Sequence, residues 1–298
     1  MKYFKTLVFL VIIHLQYTIY AQDKNIFNPK LEDTLNYWGN KILDNTEDFV
    51  KYNANEHFME ILLKSIKQKN SIKYHYDSLK TSYCYTSPDK KFRLFNWTLP
   101  KKDGTFEYFG IIQSYNKISK EYDIYQLKDK SAEITFPENA IAGSEKWYGA
   151  LYYKAIYKKW KGNKYYTFLA WDGNNNVSQK KIIEVLTFDK KGKPIFGLPI
   201  FKFENKIYKR IIFEYKANST LTLRYEKQYV KKEKDKRWLI IYDRLIPEES
   251  NLKGFYQFYI PDKTTMDAFY FSKGKWVQVK NIDVRGKSSH FIQKRKDF

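Results

Sequence analysis

Four carboxylates lie inside otherwise apolar, strand-like runs: Glu107 in TFEYF, Glu184 in KIIEVL, Glu214 in IIFEYK and Asp243 in IIYDRL. Two such groups about 5–9 Å apart could cleave a glycosidic bond, one as acid and one as nucleophile or base. Arg93, Arg210, Arg224 and Arg244 sit in similar runs. They could instead neutralise the acids, because a buried acid is rare unless paired. The sequence does not bring any two of the four together, so they stand as a pool of catalytic candidates.

The stretch FLAWDGNNNVSQKK raises a second chemistry. Asp172, Asn174 and Asn176 alternate as oxygen ligands do at the start of a calcium loop. Such a loop needs glycine at its sixth position and a glutamate at its twelfth. Counted from Asp172, those positions hold Val177 and Ile183. Lys180 and Lys181 would also oppose a cation, so the stretch reads as a strand connection and no metal is expected. Trp171 and Asp172 remain ligand-binding candidates at its shoulder. Trp147 joins them, because it follows the polar run IAGSEK.

Other motifs exclude more than they suggest. His57 has Glu60 three residues on but Ile61 where a second histidine is needed. His75 and His290 have no ligand-type neighbours at useful spacing, and metal sites need ligands in sets. The S-x-x-K spacing occurs at Ser87/Lys90 and at four other places, which in a lysine-rich chain is chance. No nucleophile elbow, phosphate loop or dinucleotide fingerprint is present, and no cofactor is implied. Cys84, the single cysteine, reads as an inert buried thiol.

The remaining signals are charge and rings. The chain carries a formal charge of +21 and contains 27 Tyr, 22 Phe and 7 Trp. That charge attracts polyanions such as nucleic acid, acidic polysaccharide or anionic headgroups. Aromatic faces can stack on sugars or bases, although most must fill the core. The lysines are scattered through turns (KKDG, KKGK, KKEKDK), so only their gathering on one face would mark a polyanion site.

These groups must be positioned by two kinds of element. From Pro29 to Lys69 the period is helical: Leu31, Leu35, Trp38 and Ile42 make one stripe, and Phe58, Ile61, Leu62 and Ile66 another. Asn53 reads as the cap of the second helix, with Glu56 completing a capping box. From Lys91 on, strands follow one another across short polar turns, which join antiparallel neighbours. FRLFNWTL pairs with TFEYFGIIQ, ALYYKAIYKKW with KYYTFLAW, KIIEVLTFD with PIFGLPIF, YKRIIFEYK with LTLRYEKQY, and DAFYFS with WVQVKNI. The fold class is therefore mainly β: an antiparallel meander of about ten to twelve strands after a small helical segment. A barrel, a sandwich and a propeller-like array all fit. The divisions are 1–21, 22–75 and 76–298.

The start, MKYFKTLVFLVIIHLQYTIYA, has the layout of a signal peptide: Lys2 and Lys5, an apolar run, then Ala21 before Gln22, where cleavage is expected. Removing Lys2 and Lys5 takes the charge from +21 to +19. No later run is long and apolar enough for a spanning helix. The expected location is the periplasm or cell exterior, peripheral to the outer membrane at most.

SPDKKFRLFNWTLPKKDGTFEYFGIIQ, FPENAIAGSEKWYGALYYK and WDGNNNVSQKKIIEVLTFDKKGKPIFGLPIF together resemble a family of uncharacterised exported proteins of Bacteroidetes, over Tyr74 to Tyr225. The resemblance implies export and transfers no activity, ligand or catalytic residue. The sequence thus predicts an exported, non-catalytic envelope or surface protein that binds an anionic polymer or an envelope partner. A glycan hydrolase using the strand carboxylates is the alternative.

Overall fold

The computed structural model describes residues 29–229 and 236–282. The expected signal segment and its cleavage point at Ala21 and Gln22 lie outside the described residues. Among the described residues, fifteen strands in three sheets and two α-helices make a mainly β fold, and the chain divides into two compact units.

The first unit comprises residues up to Asp103, Glu107–Leu127 and Lys190–Lys193. Helix α1 (Pro29–Leu43) and helix α2 (Asp48–Ile66) precede a sheet of β1 (Tyr83–Thr86), β2 (Phe92–Pro100), β3 (Phe106–Tyr115) and β4 (Tyr122–Lys128), paired in that order. The two apolar stripes do what their spacing predicts. Leu35, Ile42, Phe58, Leu62 and Ile66 close over Phe95, Trp97, Leu99 and Ile111. The capping expectation fails, because α2 begins at Asp48 after Glu47 and Asn53 is interior. The apolar stripe marked the helix but not its first turn.

Two buried polar residues fix this unit. Trp97 donates its indole N–H to Asn55 Oδ1 at 2.7 Å. Arg93, fully buried on β2, donates to the carbonyls of Ser71, Ile72 and Tyr74 at 3.1, 2.7 and 2.5 Å and to Thr86 Oγ1 at 2.9 Å. The segment after α2 joins no ladder; the Tyr74 amide donates to the Ser71 carbonyl at 3.0 Å, and the guanidinium adds donors to that carbonyl and to those of Ile72 and Tyr74.

Cys84 lies on β1, where burial pushes its thiol up to about 12. A thiol near 12 holds about a thousandfold less thiolate at pH 8 than one near the ordinary 8.5. Alkylation by iodoacetamide at pH 8 is expected to be slower by about that factor in the native protein than in urea-unfolded chain. Equal rates would contradict the burial.

The second unit comprises Gly104–Phe106, Lys128–Asp189 and the chain from Pro194. One sheet runs β11 (Ile211–Lys216), β7 (Ser178–Phe188), β6 (Asn163–Asp172), β5 (Leu151–Trp160), with β8 (Pro194–Phe196) also on β7. The other runs β10 (Lys206–Tyr208), β9 (Phe201–Phe203), β15 (Lys275–Ile282), β14 (Tyr259–Ser272), β13 (Lys236–Pro247), β12 (Leu223–Tyr229). Between them lie Leu169, Ile183, Val185, Ile211, Phe213, Tyr215, Ile240, Tyr242, Phe269 and Trp276. Side chains alternate between faces along each strand, so residues of one parity supply this core. The unit is sandwich-like. Trp276 ties the sheets by donating its indole N–H to Thr167 Oγ1 at 3.0 Å.

Four of the five predicted hairpins form. The fifth does not: β11 pairs with β7 and β12 with β13, so the chain crosses from one sheet to the other at Asn218–Ser219. A short polar connection marks a reversal, but does not say whether the next strand returns to the same sheet. The strand total exceeds the expected ten to twelve because β8, β9 and β10 are three residues each, too short to show a period. The expected boundary near His75 separates helices from strands, whereas the compact units group β1–β3 and most of β4 with the helices.

Candidate functional site

The strand acids have separate employments. Glu107 belongs to the first unit, where Tyr52 donates to it at 2.5 Å. Glu184 is wholly buried on the outward face of β7, with Arg210 Nε at 2.7 Å and Nη2 at 2.5 Å from Oε1. Burial pushes this carboxyl up, and Arg210 and the Tyr152 hydroxyl pull it back. Glu214 accepts from Ser178 Oγ at 2.5 Å. Its register partner is Lys180, four residues from Glu184 and so roughly 13 Å along the strand. Asp243, on the other sheet, accepts from the Thr222 amide at 2.7 Å.

Of the ring candidates, Trp147 is fully buried, with Nε1 2.9 Å from the Tyr152 hydroxyl it bonds. The polar run before it does not leave it on a loop, because residues 129–150 fold back over the sheet: Arg210 donates to the Pro137 carbonyl, and Ala142 and Phe196 exchange backbone bonds. Trp147 is core and does not face solvent, contrary to expectation. Trp171 is half-buried, donates to Gln179 Oε1 at 3.0 Å and meets Phe106 edge-on at 5.1 Å. Asp172 is 6% exposed; Oδ1 accepts from the Asn174 amide at 2.7 Å, and Lys180 Nζ lies 3.6 Å from Oδ2. The stretch is the β6–β7 connection, with Asn174 left-handed at φ 50°. His57 stacks on Trp38 at 4.3 Å.

A different set of residues gathers at the end of the sandwich where β5 turns into β6, β12 approaches β13 and β14 turns into β15. Two of these turns are two-residue loops, Lys161–Gly162 at φ 46° and 81° and Lys273–Gly274 at φ 48° and 78°. Positive φ at both central residues is the tight hairpin that matches strand twist, and it sets a lysine at each tip. A Cβ on Gly274 would lie 3.0 Å from both Trp160 Cδ1 and the Tyr165 hydroxyl, so this turn rests against the first. Tyr225 stacks on Trp238 at 5.0 Å and 21°. Lys158 Nζ sits 5.5 Å over the Tyr225 ring. Lys227 is the register partner of Trp238.

This end is exposed and positive. Trp238 is 50% and Trp160 37% accessible, unusual for the largest side chain. Tyr157–Tyr165 holds Lys158, Lys159, Lys161 and Lys164 and no acid, and Phe271–Trp276 holds Lys273 and Lys275 and no acid. Lys159 and Lys164 stand directly opposite each other, a like-charge pair that costs stability. Partial burial holds the Lys158 ammonium below its usual range and pushes Tyr225 up to about 12. A cation over a ring face is attracted by the ring quadrupole, so Lys158, Tyr225 and Trp238 form a layered platform. Planar faces ringed by ammonium groups suit a ligand with flat apolar faces and regularly spaced anions.

Reading the sequence missed Trp160, Tyr225 and Trp238 because the lysines looked scattered. The one visible signal was the recurrence of Lys beside Trp or Tyr at strand ends (YKKWKGNKYY, RYEKQY, KGKW). Compared with known protein families, with curated proteins and with solved structures, the chain matches none of them.

Proposed function

We propose that this is an exported, non-catalytic envelope or surface protein that binds an acidic polysaccharide on the platform of Trp160, Tyr225 and Trp238. The observation that carries this reading is the half-exposed Trp238 stacked on Tyr225 beneath Lys158, among turns rich in lysine and poor in acids. Sugar rings offer apolar C–H faces to the aromatics, and their carboxylates or sulfates meet the lysines. Export, expected from the first 21 residues, favours polysaccharide over nucleic acid. The strand carboxylates lend hydrolysis no support, since each is tied to its own partner.

The test is calorimetric titration of the mature chain with a polygalacturonate hexamer and a heparin-derived hexasaccharide. Trp238→Ala should weaken binding roughly tenfold, about 1.4 kcal/mol. Lys227→Glu should weaken it and flatten its salt dependence, because exposed charge pairs are screened by added salt. Unchanged affinity in both variants, or binding indifferent to salt, would sink the proposal. Tighter binding of single-stranded DNA of equal charge would overturn the ligand class.

A further inference from the structure

The opposite end of the same sandwich, where β6 turns into β7, holds an open cavity of about 660 Å³, within the range of small-ligand sites. Phe106, Phe258 and Val177 give it apolar walls, and Asn175, Gln179 and Asn218 its polar ones. All of these residues belong to the second unit. From the chemistry of these walls we infer a second binding site, one for a neutral oligosaccharide.

The lining carries no net charge to spare. Its one titratable group, Lys216, is held by both oxygens of Glu248 at 2.7 and 2.8 Å. A ligand here gains little from carrying an anion, in contrast to the lysine-rich end.

The amides are oriented by the protein. Asn175 Oδ1 accepts from the Val177 and Ser178 amides at 2.8 and 3.0 Å. Gln179 Oε1 accepts from Trp171 Nε1 at 3.0 Å and the Tyr215 hydroxyl at 3.1 Å, and its Nε2 donates to the Ala217 carbonyl at 3.1 Å. With both lone pairs of each oxygen engaged, the N–H groups are the ends turned to a ligand. That ligand must bring several oxygen acceptors, as hydroxyls do. It must also bring apolar faces for Phe106 and Phe258, and a pyranose ring has both.

The segment that brings Phe258 to the cavity carries further rings. Phe255 and Tyr256, three and two residues before Phe258, are 55% and 58% exposed, and Tyr256 lies 5.0 Å from Tyr259. Exposed rings this close in sequence to Phe258 suit a chain of sugars more than a single one. Trp171 contacts both Phe106 and Gln179 and acts as a positioning residue.

The probe is a panel of neutral hexasaccharides (β-1,4-glucan, α-1,4-glucan, β-1,4-xylan, β-1,4-mannan) read by saturation-transfer NMR and calorimetry on the mature chain. At least one should bind with little dependence on salt. Asn218→Ala, at an exposed turn, should weaken it about fivefold, and Val177→Glu, across the mouth, at least tenfold. Val177→Glu should leave binding of the acidic hexasaccharides unchanged, whereas Trp238→Ala should do the reverse, so the two sites fail independently. No binding of any panel member at millimolar concentration overturns the inference. So does neutral binding that survives both pocket variants, or that is lost in Trp238→Ala.

Discussion

Arg210→Met is expected to destabilise the second unit by about 3–5 kcal/mol, the cost of stranding a buried charge. Glu184 is 1% exposed, and its charged partner there is Arg210. The variant also removes the donor to the Pro137 carbonyl and the cation 5.0 Å over the Tyr148 ring. Without Arg210, the Glu184 carboxyl is held up further by burial. An acid whose folded pKa lies above its unfolded value costs nothing while both states are protonated. The penalty therefore appears as pH rises above about 4 and grows until the folded group ionises. Urea unfolding at pH 4 and pH 7 should show a larger deficit at pH 7. Glu184→Leu combined with Arg210→Met should recover most of the loss, because an apolar pair leaves no charge behind. A double variant no more stable than the single one would contradict this account.

Arg93→Met should cost the first unit about 3–5 kcal/mol. The Ile72 and Tyr74 carbonyls lose the guanidinium, while the Ser71 carbonyl keeps the Tyr74 amide, and each buried acceptor left unmet costs about 1–3 kcal/mol. No carboxylate is released, so this loss should be nearly flat between pH 5 and 8, unlike that of Arg210→Met. Arg93→Lys should recover less than half, since an ammonium lacks the planar fork that reaches carbonyls on both sides. Hydrogen exchange would locate the damage: amides of residues 71–79 should lose protection first. Uniform loss across the unit would show that Arg93 acts through packing and not through those carbonyls.

The two arginines also show how much was legible in the sequence. Arg93 and Arg210 were visible as charges inside apolar strands, and the neutralising role was foreseen in kind for Arg210 but does not hold for Arg93. Which acid Arg210 would meet, and that Arg93 would meet none, depended on pairings across 26 and about 20 residues. The helices and most hairpins were readable because their signals are local: a period of about 3.6 or 2, and a turn between. The exchange of sheets at Asn218–Ser219 left no local trace. The same holds for the platform: Lys158 and Tyr225 are 67 residues apart, and nothing near either announces the other. Trp171 was singled out because its neighbours Asp172 and Gly173 are turn formers. Trp147 misled for the same reason, since a polar neighbourhood describes the chain around a residue and not the sheet beneath it.

The position of β15 sets the order in which this protein can be made. It lies inside the six-stranded sheet, between β14 and β9, and joins β9 in parallel through Trp276 and Phe201. Strands β9 and β10 therefore wait, as an unattached hairpin, until some seventy later residues have been synthesised. Trp276, central to the sandwich core, arrives with the same strand. Such long-range pairing is slow and leaves strand edges open in the meantime. Until β15 emerges, the sandwich lacks both the strand that joins β14 to β9 and the indole that fills its core.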